Sequence, residues 1–507
     1  MTNNSWQKDL QETESGFKGM DNSTAHFPAG HFVNWVPGKQ PAALPDELVW
    51  QLPAEADLVV QLHMMPLTVD DLIDPQIGLY FAKNSTTLNP EMIWLGSRWL
   101  PITAGDSDYS TTDSFELPVG VEIMSILPHC HYVCDEVNVW ATLPHGTEQR
   151  LLEIEKWDFY EQEEHRFPDP LYLPAGTELS AEFSYDNSIE NPRNPNRPPQ
   201  DIQFGPRSAD EMADLWIQVK ASSDIESSEL RSSSSRHLEN KIIRGLELDI
   251  AQEPNVTSSL ELAIYYRAAG RFSDAVALLK ETLQVQPENP DVVENLAIAL
   301  ADMGQPENAI EQWQHLARLK PEEPSAQFNL GMAWAFSNQV SKAEVHLERA
   351  TELDPEFYSA FLQLGLLQSY SGRFDEALIN LQSALTLNPE EPMILRAVAR
   401  LLAMHPDAQK RRPSEAVVLA NKALNLLPEP DAWSLSILAA AFAASGDFEL
   451  ATSTITQALG ELEQSEERLI GKGLQSQLYH YRRGEIETIR TVGEKIFVAP
   501  QNRKFQD

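Results

Sequence analysis

Residues 287–321 read PENPDVVENLAIALADMGQPENAIEQWQHLARLKP, and their layout returns along the chain. Pro287, Pro321, Pro355 and Pro389 stand 34 residues apart. Ala275, Ala309, Ala343 and Ala377 keep the same step, as do the small residues Ala263, Ala297, Gly331 and Gly365. Gly270, Gly304 and Gly372 form another column, with Asn338 in the remaining slot. Between these columns apolar residues recur at helical spacing. Small residues at the contact points let two paired helices approach closely. Gly or Asn between them supplies the left-handed conformation that ends the first helix. Proline stops the second one.

A 34-residue helix–turn–helix period is the signature of the tetratricopeptide repeat. A fifth unit carries Ala399, Ala416, Ala423 and Pro428, lengthened by about five residues in HPDAQKRRPSEA (405–416). A sixth carries Ala439, Gly446, Ala451 and Ala458. The repeats set a solenoid over residues 241–462, with capping helices and a tail over 463–507, of which 463–492 reads as a polar helix pair. The repeating residues are core, so recognition belongs to the groove, and a protein or peptide partner is expected there.

Before the solenoid lies SSDIESSELRSSSSR (222–236), a serine-rich stretch expected to act as a linker over 221–240. Residues 26–220 are rich in Pro, Gly, Trp and Tyr, with short apolar runs such as DLVVQLHMM, IGLYFA, VEIMSIL, VNVWATL, LSAEFSY and LWIQV. Runs of that length between turn signals predict strands of a β-sandwich. Residues 1–25 are polar and expected to be disordered. The chain is therefore multidomain, all-β and then all-α.

The formal net charge of −38 repels phosphate backbones and anionic membrane surfaces, which excludes nucleic acid as a partner class. No run of 18 apolar residues occurs, so no membrane span is expected. The N-terminal residues lack a signal-peptide pattern, which taken literally starts the chain in the cytoplasm. Two cysteines, Cys130 and Cys134, rule out a framework of several disulfides. A core role, a Cys/His zinc site and a redox pair are the readings open to them.

The stretch ILPHCHYVC (126–134) holds His129 and His131 in an apparent strand. Residues i and i+2 of a strand point to one face, so two imidazoles converge while Cys130 points away. Some eighty residues on, SADEMADLWIQV (208–219) offers Met212 in another apparent strand. Two imidazoles and a thioether suit copper in both redox states, whereas zinc favours thiolate or carboxylate beside histidine. Taken alone, His-x-His reads more often as two sheet-face histidines.

Several segments around this constellation carry a likeness: AGDSDYSTTDSFELP (104–118), LPHCHYV (127–133), WDF (157–159), YDNSIENPRNPNRPP (185–199) and GPRSADEM (205–212). In order and spacing the region resembles the second domain of the copper type II, ascorbate-dependent monooxygenases. The resemblance implies a jelly-roll-like sandwich over 86–220 and a copper ion on His129, His131 and Met212. It also implies a partial first domain over 26–85, marked by WVPG (35–38), IGLYFA (77–82) and DLVVQLHMMP (57–66). There His63 would bind a second copper, with Gln61 lining the cleft. The activity implied is hydroxylation of a C–H bond in a small-molecule or peptide substrate. Dioxygen is the oxidant, and ascorbate or another reductant is the co-substrate.

The chain departs from the family's pattern. The second copper calls for an adjacent His-His pair upstream of WVPG, and no His-His dipeptide occurs; His26 and His31 are the upstream histidines. Phe183 and Ala213 stand where animal members carry cysteines. Three readings follow. One is a hydroxylase with oxygen activation at His129, His131 and Met212 and electron supply at His63. Another is a catalytically incomplete scaffold acting through its repeats. The third places the true start upstream, which would add the missing strands and a periplasmic or secreted destination.

Overall fold

The structure is a computed structural model that describes residues 48, 49, 78, 89–205, 207, 209–462 and 471–489. The chain divides into two compact units, Met1–Pro254 and Asn255–Asp507. The expected disordered N-terminus and almost all of the partial first domain, with His63, lie outside the described residues.

The first unit holds, among its described residues, eight strands: β1 (Glu91–Ser97), β2 (Tyr109–Glu116), β3 (Val121–His129), β4 (Cys134–Thr142), β5 (Glu148–Ile154), β6 (His165–Leu173), β7 (Glu178–Tyr185) and β8 (Ala213–Ala221). They form two four-stranded antiparallel sheets, ordered β1-β8-β3-β6 and β2-β7-β4-β5. One apolar cluster draws on both: Ile93 and Leu95 of β1, Ile123 and Ile126 of β3, and Leu215 and Ile217 of β8 join Val137, Val139, Ala181 and Phe183 of the other sheet. Burying these side chains is what fixes the register, because a slip by one residue would turn them outward; an irregularity between Ile123 and Ser125 keeps Ile123 and Ile126 on one face. Phe183 and Ala213 are both fully buried in that core. The apolar runs at 121–127, 137–143, 179–185 and 215–219 each fall within or overlap a strand. The edge strands β5 and β6 gave no comparable signal: both are largely exposed, and β6 carries Pro168 and Pro170, which edge positions tolerate.

The serine-rich stretch is not a linker. It opens a 29-residue helix, α1 (Asp224–Gln252), which packs on β1 and β8. Ser223 caps its start by accepting the N–H of Glu226. Ser227, Leu230, Ser234, His237, Lys241 and Gly245 recur every three or four residues and so share a face. The small serines let that face lie close to the sheet, and Ser234 Oγ donates to the Met92 carbonyl at 3.1 Å. Composition pointed to a flexible chain, but tertiary contact decides a helix that buries Leu230 and Ile243 beside Ser227, Ser234 and Gly245. The solenoid accordingly begins after α1 rather than at residue 241.

The second unit contains, among its described residues, six helix pairs and a further helix. The pairs are α2 (Val256–Ala268) with α3 (Phe272–Val285), α4 (Pro290–Asp302) with α5 (Pro306–Leu319), and α6 (Pro324–Phe336) with α7 (Val340–Leu353). They continue as α8 (Tyr358–Tyr370) with α9 (Phe374–Leu387), α10 (Pro392–Met404) with α11 (Pro413–Asn425), and α12 (Ala432–Ala444) with α13 (Phe448–Gly460). The last helix is α14 (Gly471–Arg482). First helices start at Val256, Pro290, Pro324, Tyr358 and Pro392, so the step of the sequence is the step of the structure. The left-handed slot is as expected: Gly270, Gly304 and Gly372 have φ of 73°, 75° and 79°, and Asn338 has φ 55°. The small columns are contact points: a β-carbon on Gly365 would meet Leu381 Cγ at 2.7 Å and the Ala377 carbonyl at 3.1 Å. Of the helix pair expected over 463–492, the described residues contain α14, while 463–470 and 490–492 lie outside them. After α14 residues 485–489 run without helix. Ile489 is buried in the apolar cluster that holds Leu401, Leu402 and Met404.

Candidate metal centre

His129 is the last residue of β3, and in the ladder it lies opposite Asp214 of β8. His131 falls just beyond the strand, in the connection 130–133 that carries the chain from one sheet to the other. Met212 sits immediately before β8 rather than inside it. The strand ends therefore collect the three residues, though strict strand alternation is not what aims the imidazoles. Their ring centroids are 5.4 Å apart and their planes cross at 87°. Two imidazoles meeting on one ion about 2 Å from each nitrogen would be spaced similarly.

Each ring is oriented through Nδ1. His129 Nδ1 hydrogen-bonds Gln162 Oε1. His131 Nδ1 donates to the Asp210 carbonyl at 2.9 Å. An N–H directed at an oxygen acceptor from Nδ1 leaves the lone pair on Nε2, the tautomer a metal requires. Burial lowers the pKa of His131, and neighbouring His129 adds to the effect against the Asp210 carbonyl, so the ring is held neutral. The edge of Phe159 closes against His131, with ring centroids 5.8 Å apart. Trp157 Nε1 donates to the His131 carbonyl at 3.1 Å.

The residue that sequence reasoning passed over is Glu211, fully buried between Asp210 and Met212. Its carboxylate accepts the backbone N–H of Met212 at 2.9 Å and of Val133 at 3.0 Å, and also that of His131. Burial pushes its pKa up to about 7 in spite of the backbone N–H groups of Met212, His131, Val133 and Cys134. The side chain thus bolts the histidine connection to the methionine segment. The signal was in GPRSADEM, where a carboxylate stands beside the candidate ligand, but burial cannot be read from its neighbours in sequence. Gln162 and Phe159 come from the link between β5 and β6, about thirty residues away in sequence, and no spacing rule points to them.

YDNSIENPRNPNRPP is a frame for this end of the module. Asn187, Asn191 and Asn194 are buried, and Asn187 Nδ2 donates to the carbonyls of Thr103 and Gln200 at 3.0 and 2.9 Å. Arg193 reaches Asp135 Oδ1 at 2.9 Å and the Trp157 carbonyl, tying the segment to the aromatic side of the site. Cys130 and Cys134 are free, fully buried and part of the inter-sheet core. Burial raises both thiols, and they hydrogen-bond each other.

Among the described residues no group of three or more His, Cys, Asp or Glu side chains could hold a metal ion. An ion on His129 and His131 would need its third protein donor from elsewhere, and the Met212 thioether at the same strand end is chemically suited to copper. No described helix is long and apolar enough to cross a membrane.

Models of the tetratricopeptide repeat family match residues 266–330 and 358–391. The second unit is a tetratricopeptide array, a class of protein-interaction scaffold. No curated protein matches the chain. Among solved structures, a MamA protein is 24% identical, with a TM-score of 0.30 over 34% of this chain and 90% of its own. PilF of Pseudomonas aeruginosa is 19% identical, with a TM-score of 0.37 over 45% of this chain and 97% of its own. A tetratricopeptide repeat protein from Parabacteroides merdae is 18% identical, with a TM-score of 0.36 over 48% and 93%.

Proposed function

We propose that the chain is a protein-binding scaffold whose β module carries one copper ion on His129, His131 and Met212. The scaffold part rests on the repeat itself: five first helices start at a constant step, and the family matches fall inside that array. Stacked pairs that each contact only their neighbours leave a long continuous surface, which is what such arrays use to hold a partner. The partner is a protein or peptide.

The copper part rests on the paired Nδ1 hydrogen bonds of His129 and His131, which leave the Nε2 lone pair on each of two rings whose centroids are 5.4 Å apart. Copper so held would supply one-electron redox chemistry between its two oxidation states. The residues around it orient the imidazoles, keep His131 neutral and shield one side with Phe159. We read the module as a jelly roll, a reading supported by its two four-stranded sheets with strands one and eight, and two and seven, adjacent. C–H hydroxylation with ascorbate, as the resemblance implies, calls for a second ion at His63, which lies outside the described residues. The proposal is therefore confined to binding.

Two measurements test it. Copper per chain is determined after reconstitution with Cu(I), for the native protein and for His129→Ala, His131→Ala and Met212→Ala. One equivalent, lost in the histidine variants and weakened in Met212→Ala, is expected; no retained copper in the native protein sinks the assignment. For the scaffold, partners cross-linked to the full chain are compared with those of residues 1–254, the first compact unit alone. An identical partner set would count against binding by the array.

A further inference from the structure

Helix α10 ends unlike the other first helices of the array. α2, α4, α6, α8 and α12 each run into a residue of positive φ, Gly270, Gly304, Asn338, Gly372 or Gly446, whose own N–H caps the preceding turn. α10 runs instead into His405 and Pro406, and His405 has an extended ψ of 132°. Its last carbonyls are then without the usual local cap. Distant backbone supplies the partners: Arg412 N–H reaches the Leu402 carbonyl at 3.0 Å, and Ile489 N–H reaches the Met404 carbonyl at 3.0 Å.

Ile489 arrives on a short segment without helix or strand. The chain leaves α14, reverses at Gly484 with φ 71°, and runs on through Glu485–Ile489. Glu485 is held by His480 Nδ1 at 3.0 Å and Arg483 Nε at 2.9 Å. Glu487 Oε1 accepts from Ser476 Oγ at 3.1 Å. The Ile489 side chain is 8% exposed and belongs to the cluster formed by Leu401, Leu402 and Met404 of α10 with Ala440 and Ala441 of α12. These two helices are consecutive first helices that pack on one another, and Ala440 and Ala441 are among the residues α12 buries.

We infer that Glu485–Ile489 is an internal ligand: it occupies a docking site for an extended peptide with an aliphatic residue following two alternate glutamates, and such a partner binds by displacing it. The segment shows what the site takes: one backbone N–H for the Met404 carbonyl, one branched aliphatic side chain for the cluster of Leu401, Leu402 and Met404 with Ala440 and Ala441, and carboxylates for His480, Arg483 and Ser476 of the α14 end. The inference rests on the scaffold reading and adds its regulation. A tethered segment acts at an effective concentration on the order of 1 mM, which is enough to suppress a free peptide of micromolar affinity about tenfold or more.

The test uses a fluorescent peptide of residues 484–491, GEIETIRT, and three forms of the protein: the full chain, the chain ended after Gly484, and the full chain with Ile489→Asp. Anisotropy should show micromolar binding to the shortened chain and to Ile489→Asp, and binding at least about tenfold weaker to the full chain. A peptide carrying the same Ile→Asp change should bind none of them. Far-UV circular dichroism confirms that the helices persist in both altered forms. If both keep their helices and neither binds the peptide, or if all three bind it equally, the internal-ligand idea is wrong. Partners still cross-linked to the full chain in that case would leave the scaffold reading standing.

Discussion

Glu211 Oε2 accepts the backbone N–H of Val133 at 3.0 Å, joining two points 78 residues apart in the chain. The same carboxylate holds Met212, so one buried charge sets the distance between the histidine connection and the methionine segment. Glu211 has a folded pKa raised to about 7, above its unfolded value. The folded state therefore binds the proton more tightly, and the group favours folding at low pH. That contribution, on the order of 3 kcal/mol, is lost as pH rises from about 4.5 through about 7. Urea unfolding at pH 5 and pH 7.5 should show it, and Glu211→Gln should flatten the dependence. An unchanged slope in the variant would assign it to other groups.

Gln162 orients His129 from outside the ligand set. Removing a partner of this kind commonly weakens metal affinity by about 10- to 100-fold. Gln162→Leu should lower Cu(I) affinity by that order in competition with a chromogenic chelator, with the melting temperature nearly unchanged. Equal affinity in the two proteins would mean that His129 is not a ligand, or that Gln162 does not set its tautomer.

Asp113 is the anchor of α1. Its buried carboxylate takes the N–H of Gly96 at 3.0 Å, His237 Nε2 at 2.9 Å and Lys241 Nζ at 2.5 Å. Burial alone would raise its pKa, but the bonds from His237, Lys241 and Gly96 outweigh it, and the value is lowered. The sign is opposite to that of Glu211: the stabilisation is present above the unfolded pKa near 3.8 and is lost as pH falls through the folded one. Asp113→Ala leaves His237 and Lys241 facing a buried gap and should cost about 3–5 kcal/mol of the first unit's stability. Chemical denaturation followed by tryptophan fluorescence measures this; a loss below about 1 kcal/mol would mean the pair is solvent-screened in solution.

Gly365 and Asn338 test the repeat from two sides. Gly365→Val drives side-chain atoms into Leu381 and the Ala377 carbonyl and should destabilise the array by about 1–3 kcal/mol. Asn338→Val forces a β-branched residue to a φ of 55° and should cost about 1–2 kcal/mol, whereas Asn338→Gly should be close to neutral. Thermal unfolding followed at 222 nm ranks the three. Asn338→Gly as damaging as Asn338→Val would show that the asparagine side chain, not the backbone, matters there.

The repeat was legible because each of its columns answers a local demand. A left-handed turn needs Gly or Asn, a close helix contact needs a small side chain, and a helix stop tolerates proline. These demands recur with the period, so the sequence alone defined the pairs, their contacts and the lengthened fifth unit. The strands of the β module were partly legible, where burial on one face left an alternating or continuous apolar run. The edge strands β5 and β6 were not, because exposure removes the pattern.

Three things belonged to tertiary structure. Residues 222–236 are serine-rich by composition, yet Arg231 pairs with buried Glu91, and His237 and Lys241 pair with Asp113, so the stretch folds as a docked helix. Glu211 gains its role only once burial strips away water and leaves backbone N–H groups as its partners. The segment ending at Ile489 finds its place because α10 lacks the left-handed cap its sister helices have, and an unpaired carbonyl must be met by some N–H. Local rules set each helix and turn of the array. Desolvation and backbone pairing between distant residues, which no window of sequence contains, decided the rest.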